Sequence, residues 1–199
     1  SYLKASSQIS TTAIAMRKKD TKFRSYFIAR PSLKITSLAE LKGHSFSFGS
    51  ISSTSGHLMP RYFLNDNGLD ASNDFKGKAH FSGTHSNTLN MVMSGKVDAG
   101  VLNSNVYDRY LREGKVNTNK VEVIWVTPGY SDYVWVAREN LGLKVKNSLS
   151  KFFIGLIPGS NKDENILNAL AANYYIAPTP RMFENLKKIA IELNMINEK

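Results

Sequence analysis

Between Thr36 and Thr127 the chain alternates short strand-like and helix-like segments joined by brief links, and that alternation leaves few folds open. Ser45-Phe46-Ser47-Phe48-Gly49 places polar and apolar residues in period two, the pattern of a strand, and the apolar residues from Leu58 to Leu64 resume at helical spacing. The order then repeats in kind. Lys78 to Phe81 reads as a short strand, Ser86 to Met93 as a helix, Val97 to Leu102 as a buried strand, Val106 to Arg112 as a helix, and Val121 to Val126 as a strand. Strands that alternate with helices through short links predict a largely parallel α/β sheet with helices on both faces. Thr36 to Leu41 resembles a short capped helix ended by Gly43. No repeat of fixed period is present, which argues against a solenoid.

The flanks are less self-sufficient. Ala13 to Met16 and Ser25 to Arg30 read as strands, the second stopped by Pro31. Thr127-Pro128-Gly129 punctuates the end of the middle unit, and Asp132 to Arg138 begins a new strand beyond it, as at a crossing between lobes. The last third is helical by periodicity, from Leu149 to Leu156, Glu164 to Ala172 and Met182 to Leu193, with Pro178 and Pro180 ahead of the final helix. The N-terminal flank supplies strands but no helix to cover them. Either the two flanks form one lobe interrupted by the middle unit, or part of that lobe lies outside this chain.

Composition closes several routes. With 199 residues, 42% of them hydrophobic, there is material for one large core or two modest ones. Cysteine is absent, so disulfides, thiolate nucleophiles and Cys-ligated zinc are excluded. No run of about 18 apolar residues exists to span a bilayer, so any membrane association is peripheral. The net charge of +10 favours anionic partners. Its basic residues are scattered, as in Arg17-Lys18-Lys19 and Lys187-Lys188, without the interleaved aromatics of a single-strand-binding platform, so nucleic acid is not an expected partner.

Ser52-Ser53-Thr54-Ser55-Gly56 sits where the strand Ser45 to Gly49 hands over to the following helix. The first N–H groups of a helix lack an intrahelical acceptor and carry partial positive charge, so backbone donors there can hold an oxyanion without Lys or Arg. Ser53, Thr54 and Ser55 add hydroxyl donors, and Gly56 leaves the backbone uncovered for close approach. The plainer reading is that one serine is an N-cap and the rest are ordinary loop residues. Gly49 and Gly56 are too far apart for a P-loop, and His57 stands where that motif has lysine. Gly83-Thr84-His85-Ser86-Asn87 is a second polar turn opening a helix, with an imidazole able to donate to an anion. Loops at the carboxyl ends of parallel strands converge on one crevice, so these two turns are expected to meet.

Catalytic patterns are weak. Ser148-Leu149-Ser150-Lys151 has S-x-x-K spacing without its companion signatures and reads as plain amphipathic helix. His44, His57, His80 and His85 lack a metal-binding spacing, so neither a metal nor a cofactor is expected. Asp98 can be a general base or, more simply, a turn-capping residue.

The stretches Leu38-Ala39-Glu40-Leu41-Lys42-Gly43, Ser52 to Pro60, Phe81-Ser82-Gly83-Thr84-His85 and Gly95-Lys96-Val97-Asp98-Ala99-Gly100 resemble, in order and spacing, the phosphate, phosphite or phosphonate periplasmic binding proteins, the solute receptors of ABC importers. The resemblance implies a two-lobed α/β receptor of the type II periplasmic-binding-protein class. Its inserted lobe would run over residues 36–127, and its first lobe would combine 1–35 with 128–199 and lack an N-terminal part. It implies that Ser53, Thr54, Ser55 and His85 bind the phosphorus oxyanion, that Tyr2 contacts the ligand, and that Asp132 matches an acid that holds the ammonium of aminophosphonates. A second such acid falls near Ser104 or Asn105, neither of which is charged, so phosphite, phosphate or a simple alkylphosphonate is favoured. The implied protein is not an enzyme, works outside the cytoplasm, and hands its ligand to the membrane subunits of an ABC transporter. The competing expectations are a sensory domain of the same fold, an anion-processing enzyme with His85 or Asp132 as base, and a nucleic-acid module.

Overall fold

The computed structural model describes residues 10–197. The chain divides into two compact units, one running from Arg24 to Pro128 and the other made of the flanking segments up to Phe23 and from Gly129 onward. The first boundary therefore falls at Phe23 and not near residue 35, because the strand beginning at Ser25 is part of the middle sheet.

In the flanking unit, β1 (Thr11–Arg17) lies between β7 (Trp135–Arg138) and β8 (Tyr175–Ile176), antiparallel to both. The middle unit holds a five-stranded sheet in the order β4 (His80–Phe81), β3 (Phe46–Phe48), β5 (Ala99–Asn103), β2 (Ser25–Ala29), β6 (Glu122–Val126). β3 pairs in parallel with β4 and with β5. β2 runs antiparallel to both β5 and β6. The expectation of a largely parallel sheet thus holds for β3, β4 and β5 and stops at β2, which enters ahead of the alternating segments and wedges between strands that would otherwise be neighbours.

Both faces of this sheet are covered, and the strands show why. Successive side chains on a strand point to opposite faces. Phe27 joins Phe46, Phe48, Leu64 and Val101 in one apolar cluster, while the next residue, Ile28, joins Leu89, Val92, Leu102 and Tyr107 in another. Leu64 comes from α1 (Met59–Asp66), Leu89 and Val92 from α2 (His85–Met93), and Tyr107 from α3 (Ser104–Arg112). Each fully buried side chain of this size contributes about 1.5–3 kcal/mol of transfer free energy. Gly100 lets α2 come close, since a Cβ there would stand 2.7 Å from Thr88 Cγ2 and 2.9 Å from the Ser47 carbonyl oxygen.

The flanking unit also carries α4 (Leu143–Ile154), α5 (Asn161–Ala169) and α6 (Arg181–Glu192). α4 starts earlier than its apolar spacing suggests and buries a polar side: Lys146 Nζ donates to the Glu139 carbonyl at 3.0 Å, and Ser150 Oγ donates to the Ile14 carbonyl at 2.7 Å. Ser150 is thereby a structural residue of the S-x-x-K segment. Val145, Leu149 and Phe152 lie on the exposed side of the same helix. No helix among the described residues is long and apolar enough to cross a membrane.

Candidate functional site

Because β4, β3 and β5 are adjacent and parallel, their carboxyl ends lie along one edge, and each runs into the start of a helix. Each start is closed by a short polar side chain. Ser53 Oγ accepts the Gly56 N–H at 2.9 Å, Thr84 Oγ1 accepts the Asn87 N–H at 3.1 Å, and Asn103 Oδ1 accepts the Val106 N–H at 3.2 Å. Two of these turns are expected from the sequence. The third is not, because a lone Asn after Val101-Leu102 has no distinctive spacing, although Asn before a helical run is itself a capping signal.

The hydroxyl turn is wider than an α-helical start. Thr54–Leu58 forms a single π turn that leads into α1, with the Leu58 N–H donating to the Ser53 carbonyl at 3.1 Å. An i to i+5 ladder leaves one more leading amide without an acceptor inside the helix than an α-helix does. Thr54 and Ser55 are buried, at 4% and 1% exposure. Ser53 uses its oxygen as cap acceptor and keeps its hydroxyl proton to donate. Ser55 Oγ is buried with no hydrogen-bond partner among the described residues. The Ser55 carbonyl is held from below by Ser25 Oγ, which donates at 2.7 Å. Ser25 was not legible as a supporting residue, since its role depends on β2 lying in this sheet.

His85 meets this turn, as the convergence argument requires. A Cβ on Gly56 would lie 3.0 Å from His85 Cε1, 3.0 Å from Ser53 Oγ and 3.2 Å from Gly49 Cα, so only glycine leaves the ring and the turn in contact. Gly49 in turn donates its N–H to the Gly56 carbonyl at 2.8 Å. His85 Nδ1 accepts the Asn103 N–H at 3.4 Å, and burial pulls the imidazole below its ordinary range. The neutral ring therefore carries its proton on Nε2 and is a hydrogen-bond donor there.

Asp132 belongs to the flanking unit, is buried, donates its N–H to the Asp20 carbonyl at 3.0 Å and accepts the Tyr133 N–H on Oδ1 at 2.9 Å. Tyr2 lies outside the described residues. Ser104 opens α3 and is buried. Asp98 is a clasp: it accepts the Ser45 N–H at 3.0 Å and the Ser45 hydroxyl at 2.8 Å, and pairs with Arg30. Burial opposes its ionisation, but these hydrogen bonds and the guanidinium outweigh burial and hold the carboxyl at about 2. A carboxylate so stabilised is a poor base, so the capping reading stands and the general-base reading does not.

A family described as the periplasmic substrate-binding proteins of phosphonate ABC transporters matches residues 1–183. The chain is 37% identical over 194 residues to the probable ABC transporter phosphite binding protein PhnD1 of Prochlorococcus marinus (strain MIT 9301), an alignment covering 92% of this chain and 65% of that protein. The structure of PhnD1 from that organism in complex with methylphosphonate superposes with a TM-score of 0.89 at 36% identity, covering 98% of this chain and 76% of that one. The phosphonates-binding periplasmic protein of Escherichia coli (strain K12) is 29% identical over 117 residues, which are 59% of this chain and 34% of that protein. The chain thus spans less than two thirds of the length of these curated relatives. Matched over nearly its whole length, with the hydroxyl turn inside the match, the chain belongs to the family of periplasmic substrate-binding proteins of phosphonate ABC transporters.

Proposed function

We propose that this protein is a solute receptor that captures a small phosphorus oxyanion, a simple alkylphosphonate, phosphite or phosphate, for import by an ABC transporter. The observation that carries the reading is the buried hydroxyl of Ser55, without a hydrogen-bond partner among the described residues, on a π turn beside a histidine whose ring proton is on Nε2. A buried hydroxyl without a partner costs about 1–3 kcal/mol, which an anionic oxygen at this turn recovers. Ser53, Thr54, Ser55 and His85 supply neutral donors preorganised for a tetrahedral oxyanion. Tyr2 and Asp132 enter the proposal on the family resemblance alone. The uncharged Ser104 and Asn105 favour ligands without an amine. Binding without turnover, in an extracytoplasmic compartment and with membrane subunits as partners, follows from the same reading.

The test is a thermal-shift series with methylphosphonate, phosphite and phosphate, with sulfate and an oligonucleotide as controls. A ligand at a hundred times its Kd stabilises by about 2.7 kcal/mol, or roughly 5–10 °C for a chain of this size. Ser53→Ala combined with Ser55→Ala is expected to abolish the shift while the unliganded protein stays folded. A double variant that responds as the parent does overturns the assignment of the seat.

A further inference from the structure

His57 follows the hydroxyl turn directly, yet it points away from it. Its ring is buried edge-on between Phe48 and Phe81, with centroids 4.9 Å and 4.7 Å away. Nδ1 lies 2.9 Å from the Ile51 carbonyl oxygen, and a carbonyl only accepts, so the proton is on Nδ1. Nε2 is then the acceptor and faces Arg61 Nη1 at 3.5 Å, while Arg61 Nη2 donates to Ser72 Oγ at 2.6 Å. The two histidines beside Gly56 thus carry opposite tautomers: His85 offers its Nε2 proton, and His57 spends its Nδ1 proton on the backbone just ahead of Ser53.

We infer that His57 is a positioning residue that sets the shape of the Ser53–Gly56 anion seat by tying the Ile51 carbonyl to the π turn, an inference that rests on the proposed function for the ligand but not for the tie itself. The loop from Ser50 to Ser53 has one backbone bond across its own turn, from the Ser53 N–H to the Ser50 carbonyl at 3.0 Å, and Ile51 is 62% exposed. The imidazole gives this exposed loop a buried anchor, and the two aromatic rings fix the direction of that anchor. If the tie is lost, Ser53 is free to shift, and with it the cap on Gly56 and the spacing to His85.

The surroundings of the ring fix its charge state. Arg61 is the charged group facing His57; β3 and β4 present the rings of Phe48 and Phe81, and the loop presents a carbonyl. Burial disfavours the imidazolium and outweighs the opposite pull of the Ile51 carbonyl, with a lesser contribution from the neighbouring guanidinium in the same sense as burial, so the imidazole is held below its ordinary range and is neutral at pH 7. A second proton on the ring would turn Nε2 from acceptor to donor and set a cation against Arg61, while the Nδ1–H bond to Ile51 would be kept.

The experiment compares the parent chain with His57→Phe, which keeps an aromatic ring and removes the donor, and His57→Asn, whose amide nitrogen replaces Nδ1. Hydrogen exchange of the Ser50–Leu58 amides is read without ligand, and methylphosphonate affinity is read by calorimetry at pH 7. His57→Phe is expected to speed exchange across this segment at least tenfold and to weaken methylphosphonate binding by about tenfold, with His57→Asn restoring most of both. Unchanged exchange in His57→Phe overturns the inference, whatever the ligand does. A parent that binds no phosphorus oxyanion overturns the proposed function instead, and the exchange comparison still decides the tie.

Discussion

The amide of Asn103 and Nδ1 of His85 stand 3.4 Å apart, so the start of one helix sets the tautomer of a side chain on another. The contact is long for a hydrogen bond, but its polarity is unambiguous because an amide only donates. It leaves Nε2–H as the single ring donor available to a ligand. Nitrogen-15 NMR of the unliganded protein is expected to show His85 as the Nε2–H tautomer. Replacement by Ala is expected to weaken methylphosphonate binding about ten- to a hundredfold, the scale of one hydrogen bond to a charged group. His85→Gln, which retains an N–H, should recover part of that loss. Unchanged affinity in His85→Ala would remove this residue from the site.

Ser55 and Gly56 should respond in opposite senses. Ser55→Ala deletes a buried hydroxyl that has no partner among the described residues, so the unliganded protein is expected to keep its stability or gain about 1 kcal/mol, while affinity drops. Gly56→Ala forces a methyl group to within 3.0 Å of both His85 Cε1 and Ser53 Oγ, and is expected to cost about 1–3 kcal/mol in the unliganded state as well as binding. Urea unfolding with and without methylphosphonate separates the two. A Ser55→Ala protein that is markedly less stable than the parent would assign that hydroxyl to the fold and not to a ligand.

Asp98 governs the acid limb. Its folded-state value of about 2 lies below the ordinary 3.8, so its stabilising contribution is fully present above pH 3.8 and is lost as pH falls toward 2. Allowing for screening at a partly exposed pair, the contribution is about 1–2 kcal/mol. Asp98→Asn is expected to lower stability at neutral pH by this amount and to remove that part of the acid-induced loss between pH 4 and pH 2. Chemical denaturation across this range checks both. Equal acid sensitivity in variant and parent would mean that the clasp with Ser45 and Arg30 does not hold the charge in solution.

Most strands and helices of the middle unit were readable because each has its own period, and the convergence of the Ser53 and His85 turns followed from parallel neighbours sharing an edge. What local pattern does not carry is pairing. Ser25–Ala29 is plainly a strand by composition, but nothing in those residues says that it separates β5 from β6, so its place and the support that Ser25 gives to Ser55 were both hidden. The π turn was hidden for a related reason, since no side-chain preference in Thr54–Leu58 distinguishes an i to i+5 bond from an i to i+4 bond. In α4 the period misled outright. Its outer stripe of Val145, Leu149 and Phe152 is exposed, while Lys146 and Ser150 are the residues turned inward, so apolar spacing does not mark the buried side of this helix.

The position of β2 has a consequence for how the chain is made. Ser25 waits for Asn103, and Tyr26 for Val126, before either edge of this strand finds its neighbour. During synthesis Phe27-Ile28-Ala29 therefore emerges ahead of both partner strands and stays unsatisfied on both sides while the helices that will cover it are still being added. A strand that ends up inside the mature sheet is, for that interval, a segment in need of a chaperone.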